Sequence, residues 1–99
     1  MTIGLIGDFR FLEVAPATDV ALVLSLSPNG ERLGRIRIDA ALRAMLLERG
    51  FPDADEELPL ESALGLAVAV ASRAQRPLTI TGDPSAWNAS WGLLMRPDA

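Results

Sequence analysis

The sequence predicts an α+β domain, in which two helices pack on one face of a small, mainly antiparallel sheet made of a β-hairpin and one or two further strands. Residues 19–27 and 33–38 alternate apolar and polar side chains on either side of a turn sequence. Residues 39–49 and 60–75 instead have the apolar spacing or the alanine content of helices. Since the chain has 99 residues, of which 49% are hydrophobic, we expect one core and a single domain over 1–99.

The hairpin has the clearest pattern in the chain. Alternation over 19–27 places Val20, Leu22, Leu24 and Leu26 on one face of a strand. Residues 27–30, Ser-Pro-Asn-Gly, suit a type I turn with the glycine in the left-handed conformation. The sequence therefore predicts antiparallel pairing of 19–27 with 33–38.

The chain before the hairpin and the segment after it also have interpretable patterns. Residues 2–14 predict one kinked strand or two short strands, because Gly7-Asp8 interrupts an apolar series. Asp39 is a predicted N-cap for a helix through Arg49, and Gly50, Phe51 and Pro52 are typical of a helix end. The two-glycine segment 4–7 lacks the lysine and third glycine of phosphate-binding loops.

The second predicted helix spans 60–75, with Pro59 in its first turn. It contains nine consecutive apolar residues, 63–71, which are too few to cross a bilayer. A buried strand is the competing interpretation, because small and large side chains alternate there. Alanine content and the arginines near the end favour the helix, and its apolar surface predicts cover on more than one side, by the sheet and by a second subunit.

The C-terminal part predicts a strand at 77–81, then a short helix with Asp83 as N-cap, then a last short strand at 93–95. The short helix is expected to carry Trp87 and Trp91 on one side, because residues four apart share a helix face. Core packing explains two such rings, and so does an interface or a ligand site, since tryptophan is enriched in all of these settings.

Composition excludes several function classes. The chain has no cysteine and no histidine, which removes disulfides, thiolate metal sites and the commonest general base. We therefore expect no enzyme activity and no cofactor. All nine basic residues are arginine, as a GC-rich bacterial genome produces. The net charge of −4 lies in the second half of the chain, so DNA binding is not expected. The N-terminus lacks the features of a secretion signal, and a soluble, cytoplasmic protein without membrane contact is expected.

Acidic residues give two weak candidates for chemistry. The loop with Asp53, Asp55, Glu56 and Glu57, together with Glu61, could hold a divalent metal, but it lacks the spacing of a calcium loop, and a solvated loop before a helix explains it. Asp8 and Asp83 could approach each other as a carboxylate pair. Turn and capping roles explain both aspartates more simply.

Arg35 and Arg37 alternate with apolar residues and must point to the same face of the sheet. That face is either solvated or contacts an acidic partner, an RNA or the chain's own residues 53–61.

Three hypotheses follow. The preferred one is a domain that acts through protein–protein contacts and associates with itself, with Trp87 and Trp91 at or near the contact and Arg35 and Arg37 on the opposite, solvated face of the sheet. The alternatives are a ligand-binding or regulatory module with an apolar pocket beside the tryptophans and, last, a carboxylate-dependent enzyme.

Overall fold

The computed structural model describes residues 9–16, 18–50, 56–88, 91–92 and 94–95. Its strands are β1 (Phe9–Arg10), β2 (Val20–Leu26), β3 (Arg32–Arg37), β4 (Leu58–Pro59), β5 (Leu78–Gly82) and β6 (Leu94–Met95). The helices are α1 (Ala40–Glu48) and α2 (Leu60–Ala74), with a single 3-10 turn at Pro84–Ala86. The α+β prediction is confirmed.

The sheet is mixed. Four strands lie in the order β4-β3-β2-β5, and β1 pairs with β6. The β2–β3 and β3–β4 pairs are antiparallel, whereas β2–β5 and β1–β6 are parallel. A parallel bridge between Phe11 and Ile80 links the two sets of strands. The prediction of a mainly antiparallel sheet is therefore not confirmed. The parallel pairs join segments that are far apart in sequence, and a local sequence pattern does not report such pairing.

The predicted hairpin is confirmed. Ala21 pairs with Arg37 at one end of the hairpin and Leu26 with Arg32 at the other. In the turn, Gly30 has a φ of 82° and its N–H donates to the carbonyl of Ser27 over 2.9 Å. The left-handed conformation of the glycine allows the strands to continue with their natural twist.

The helix α2 lies against one face of the sheet. Its buried side chains recur at helical spacing, and they are Leu60, Ala63, Leu64, Ala67, Val70 and Ala71. A Cβ atom on Gly34 of β3 would lie 2.8 Å from the Cβ atom of Ala63, so the glycine lets helix and sheet approach closely. The helix prediction for 60–75 is confirmed to within one residue, with Gln75 as a left-handed C-cap. Gly65 and Ala69 lie on the exposed side of α2, and cover of that side by a second subunit stays a prediction.

The interior is one hydrophobic cluster. It combines the buried residues of α2 with Val20, Leu22 and Leu24 of β2, Ile36 of β3 and Ile80 of β5. Leu42 and Leu46 are the buried residues of α1 and belong to the same cluster. Whether both helices pack on one face of the sheet stays a prediction. No helix in the described part of the chain is long and apolar enough to span a bilayer.

Asp39 caps α1 as the sequence predicts. Its carboxylate accepts a hydrogen bond of 2.7 Å from the N–H of Leu42, and Arg76 forms an ion pair with its other oxygen. The bond from Leu42, followed by the contact with Arg76, lowers the pKa of Asp39 below its ordinary value of 3.8. Pro59, by contrast, does not form the first helical turn. It is the last residue of β4, where it pairs with Leu33 of β3, and α2 begins at the next residue.

We expect Asp39→Ala to lower the melting temperature at neutral pH, and the difference from the wild type to shrink in acid. A pKa that is lower in the folded than in the unfolded state stabilises the fold above the unfolded pKa, and this stabilisation is lost as the pH falls through the folded pKa. Thermal melts between pH 7 and about pH 2.5 check this. Asp39→Asn retains a capping side chain and should lower the melting temperature less than Asp39→Ala at pH 7. If wild type and Asp39→Ala differed in melting temperature by the same amount at both ends of the pH series, the lowered pKa of Asp39 would be contradicted.

Candidate functional site

The face of the sheet opposite α2 carries the candidate site. Register places the side chains of Val23, Ser25, Leu33, Arg35 and Arg37 together there, because Val23 pairs with Arg35 and Ser25 with Leu33. We call these five residues the open face. Each is half-buried or exposed, whereas the opposite face at Leu22, Leu24 and Ile36 is buried.

The segment 12–16 covers the neighbouring part of the same face, over β5. The hydroxyl of Thr81 donates to the carbonyl of Glu13 over 2.9 Å. Ala15 is buried, and Val14 is 81% exposed, more than any other large hydrophobic residue that the structure describes. The open face is therefore the part of the sheet between this segment and β4.

A network of polar side chains connects β1 with β5 and with the residue before β2. The carboxylate of Asp19, only 7% exposed, accepts a hydrogen bond of 2.5 Å from Arg10 and one of 2.7 Å from the hydroxyl of Thr79. Arg10 also donates to the Thr79 hydroxyl over 2.9 Å. The three side chains are hydrogen-bonded to one another, and we therefore assign a structural role to Arg10 and Asp19.

Arg35 and Arg37 point to the same face, as predicted, and both are exposed. Neither forms a hydrogen bond or an ion pair with a described residue. Glu57 accepts a hydrogen bond of 3.1 Å from the hydroxyl of Ser25 on the open face. Glu57 directly precedes β4, and extending the β3–β4 register by one residue places it opposite Arg35. Residues 53–61 are one of the contacts expected for this face from the sequence, and Glu57 belongs to that segment, although it lies 32 residues from Ser25 along the chain.

The surface next to Arg37 is concave. A cleft of about 560 Å³ lies between segment 12–16 and the sheet, and its lining includes Glu13, Val14, Val23 and Arg37. A second cleft of about 390 Å³ is also lined by Val14 and Arg37. Arg37 therefore borders both depressions.

Trp87 and Trp91 lie elsewhere, in an aromatic cluster with Phe9. The ring centroids of Phe9 and Trp87 are 5.1 Å apart and those of the two tryptophans 5.2 Å apart, both in edge-to-face geometry. Both tryptophans are half-buried and pack against the core. The indole N–H of Trp87 donates to the carbonyl of Gly92 over 2.9 Å. These contacts are typical of rings that close a core.

The predicted short helix carrying both tryptophans is wrong. The 3-10 turn ends at Ala86, and Trp87 has extended backbone angles, with φ −71° and ψ 137°. Asp83 caps the start of the turn: its carboxylate accepts hydrogen bonds from the hydroxyl and from the N–H of Ser85, and these bonds lower the pKa of its carboxyl. A cleft of about 230 Å³ touches Trp91 and does not include Trp87.

Trp87→Ala should lower the free energy of unfolding by about 1–3 kcal/mol, because a half-buried ring is removed from the core. Chemical denaturation followed by circular dichroism measures the loss. Trp87→Phe is the control, since it keeps an aromatic ring beside Phe9 and removes only the indole hydrogen bond. A Trp87→Ala variant as stable as the wild type would contradict the core assignment.

The remaining acidic candidates are only partly described. Asp8 and the loop residues 51–55 lie outside the described residues, so the Asp8/Asp83 pair and the metal hypothesis for Asp53 and Asp55 stay untested. Within the described chain, no group of three or more acidic side chains is arranged to hold a metal ion. Asp83 has the capping role that the sequence predicts.

Comparison with protein-family models, with curated proteins and with solved structures finds no match to this chain. Function is therefore inferred from the surfaces and contacts described above.

Proposed function

We propose that this domain acts through protein–protein contacts and associates with itself through the open face. The observation that carries the proposal is the composition of that face. The half-buried side chains of Val23 and Leu33 lie beside Arg35 and Arg37, which have no hydrogen-bond or ion-pair partner in the described chain. Sheet faces commonly bury their apolar residues against a second sheet, at a separation of about 10 Å.

The tryptophan segment is the weaker candidate for the contact. Trp87 and Trp91 already contact Phe9, each other and the core, and the indole of Trp87 has a hydrogen-bond acceptor. On the open face, by contrast, the guanidinium groups of Arg35 and Arg37 have no hydrogen bond or ion pair to a described residue. A contact at the C-terminal segment stays a prediction that the same experiment addresses.

The mass in solution tests the proposal. At a chain concentration of about 100 μM, light scattering should give the mass of two chains, because a contact worth about 8 kcal/mol dissociates near 1 μM. Val23→Lys should give the mass of one folded chain, since it places a flexible charge among the apolar residues of the open face. Ala69→Lys is the matched control on the exposed side of α2 and should keep the wild-type mass.

A wild-type mass of one chain at this concentration would overturn the proposal. If Trp87→Ala alone abolished the association of folded chains, the contact would lie at the C-terminal segment instead of the open face.

Small-ligand binding is a second candidate function, favoured by the cleft of about 560 Å³ beside Arg37. This volume lies within the range of about 300–1,000 Å³ that is common for ligand sites. An apolar amino acid suits a cleft that combines valines with the guanidinium group of Arg37 and the carboxylate of Glu13, because it carries both opposite charges and an apolar side chain. Phenylalanine and leucine serve as probes: a rise in melting temperature with the wild type and none with Arg37→Ala would support this function, and no rise with either probe would count against it.

A further inference from the structure

The two clefts beside Arg37 differ in the charged groups that they leave unpaired. In the cleft of about 390 Å³, the carboxylates of Asp19 and Asp39 belong to the lining, but each already forms an ion pair with an arginine. In the cleft of about 560 Å³, the charged residues of the lining are Glu13 and Arg37. Neither of these two side chains forms a hydrogen bond or an ion pair with a described residue. The larger cleft therefore offers both a carboxylate and a guanidinium group to a ligand.

The backbone on both sides of the Glu13 side chain is held against β5. The N–H of Leu12 donates to the carbonyl of Ile80 over 3.0 Å, and the hydroxyl of Thr81 donates to the carbonyl of Glu13 over 2.9 Å. These two bonds fix the chain beside the cleft, while the side chain of Glu13 stays exposed. A carboxylate on a backbone that is already ordered binds a ligand at a smaller cost in conformational entropy than one on a free loop.

The rest of the lining is mainly apolar, with contributions from Phe11, Val14, Val23 and Pro84. Few polar groups among apolar side chains are typical of sites that orient a small ligand. Here the two polar groups have opposite charges and do not neutralise each other. An apolar amino acid matches this arrangement, because its carboxylate suits a guanidinium group and its ammonium group suits a carboxylate.

We infer that Glu13 is the residue that selects the ligand of this cleft, by binding the ammonium group of an amino acid whose carboxylate binds Arg37. This inference rests on the ligand-binding function proposed above and assigns its selectivity. A carboxylate ligand without an ammonium group leaves Glu13 unpaired beside a like charge, and an amine without a carboxylate leaves Arg37 in the same position. Unpaired and like charges of this kind discriminate against the wrong ligand.

Three ligands that share a phenyl ring test the two contacts separately. Phenylalanine carries both charges, phenylpropionate lacks the ammonium group, and phenethylamine lacks the carboxylate. Amide NMR titrations at neutral pH, followed at Thr81 and Gly82 in the lining, give the dissociation constants. Phenylalanine should bind the wild type about tenfold more tightly than either of the other two, because each of these loses a charge-assisted hydrogen bond.

Two variants should change the selectivity in opposite ways. Glu13→Gln should weaken the binding of phenylalanine about tenfold and should not weaken that of phenylpropionate. Arg37→Gln should also weaken phenylalanine, but it should not weaken phenethylamine. Glu48→Gln is the matched control, since it removes the same charge at the exposed end of α1, and it should leave all three dissociation constants unchanged. Circular dichroism verifies that each variant is folded.

The outcomes separate this inference from the function on which it rests. If none of the three ligands shifted the amide signals of the cleft at concentrations up to about 10 mM, the ligand-binding function would be overturned together with the role of Glu13. If phenylpropionate bound the wild type as tightly as phenylalanine, or if Glu13→Gln weakened both ligands equally, the cleft would still be a ligand site and the role of Glu13 would be overturned.

Discussion

Replacing Ala67 with arginine should unfold the domain. Ala67 is 0% exposed and lies on the side of α2 that faces the sheet. An arginine there must either bury its charge or push the helix away from β2 and β3, and each costs several kcal/mol. A domain of this size has a total free energy of unfolding of about 5–10 kcal/mol, so little or no folded protein should remain.

Ala69→Arg is the matched control, because Ala69 is on the same helix, two residues away and exposed. Circular dichroism at 25 °C should show loss of the folded signal for Ala67→Arg alone. If Ala67→Arg melted cooperatively at the wild-type temperature, α2 could not lie against the sheet as described.

The second large effect is expected from Gly82→Ala, at the end of β5. Gly82 has a φ of 92°, and a Cβ atom there would lie 2.4 Å from the carbonyl oxygen and 2.7 Å from the backbone nitrogen of Leu24. Both neighbours are backbone atoms of the central strand and cannot rotate away. Strain and overlap together should cost about 3 kcal/mol or more, which lowers the melting temperature by more than about 10 °C.

The substitution Gly30→Ala separates the cost of backbone strain from the cost of atomic overlap. Gly30 has a similar φ of 82°, but no atom lies within 4 Å of the position of its Cβ. Its substitution should therefore cost only the conformational strain, about 1 kcal/mol. Equal losses for the two variants in calorimetry would mean that the contact with Leu24 is not tight.

Local patterns predicted most of the fold. The hairpin turn, the N-cap Asp39 and the apolar content of α2 all concern residues that are close in sequence, so periodicity and capping rules identified them. The parallel pairing of β2 with β5 joins Val20 to Leu78 across the whole crossover. No local signal reports such pairing, which explains why the sheet was expected to be mainly antiparallel.

The candidate site was predicted only in part. The common orientation of Arg35 and Arg37 followed from strand alternation. The position of Glu57 at Ser25 and the cover of β5 by segment 12–16 depend on tertiary contacts. The spacing of Trp87 and Trp91 suggested a helix, but Asp83 and Ser85 form a tight turn that ends before the first ring.

Amide NMR spectra recorded from about 20 to about 500 μM test most directly whether the open face binds a second copy. With increasing concentration, the signals of Val23, Ser25, Leu33 and Arg35 should shift together, while those of Gly65 and Ala69 on the exposed side of α2 stay constant. Spectra that do not change over this range, or shifts confined to Trp87, Trp91 and Gly92, would contradict an interface on the open face.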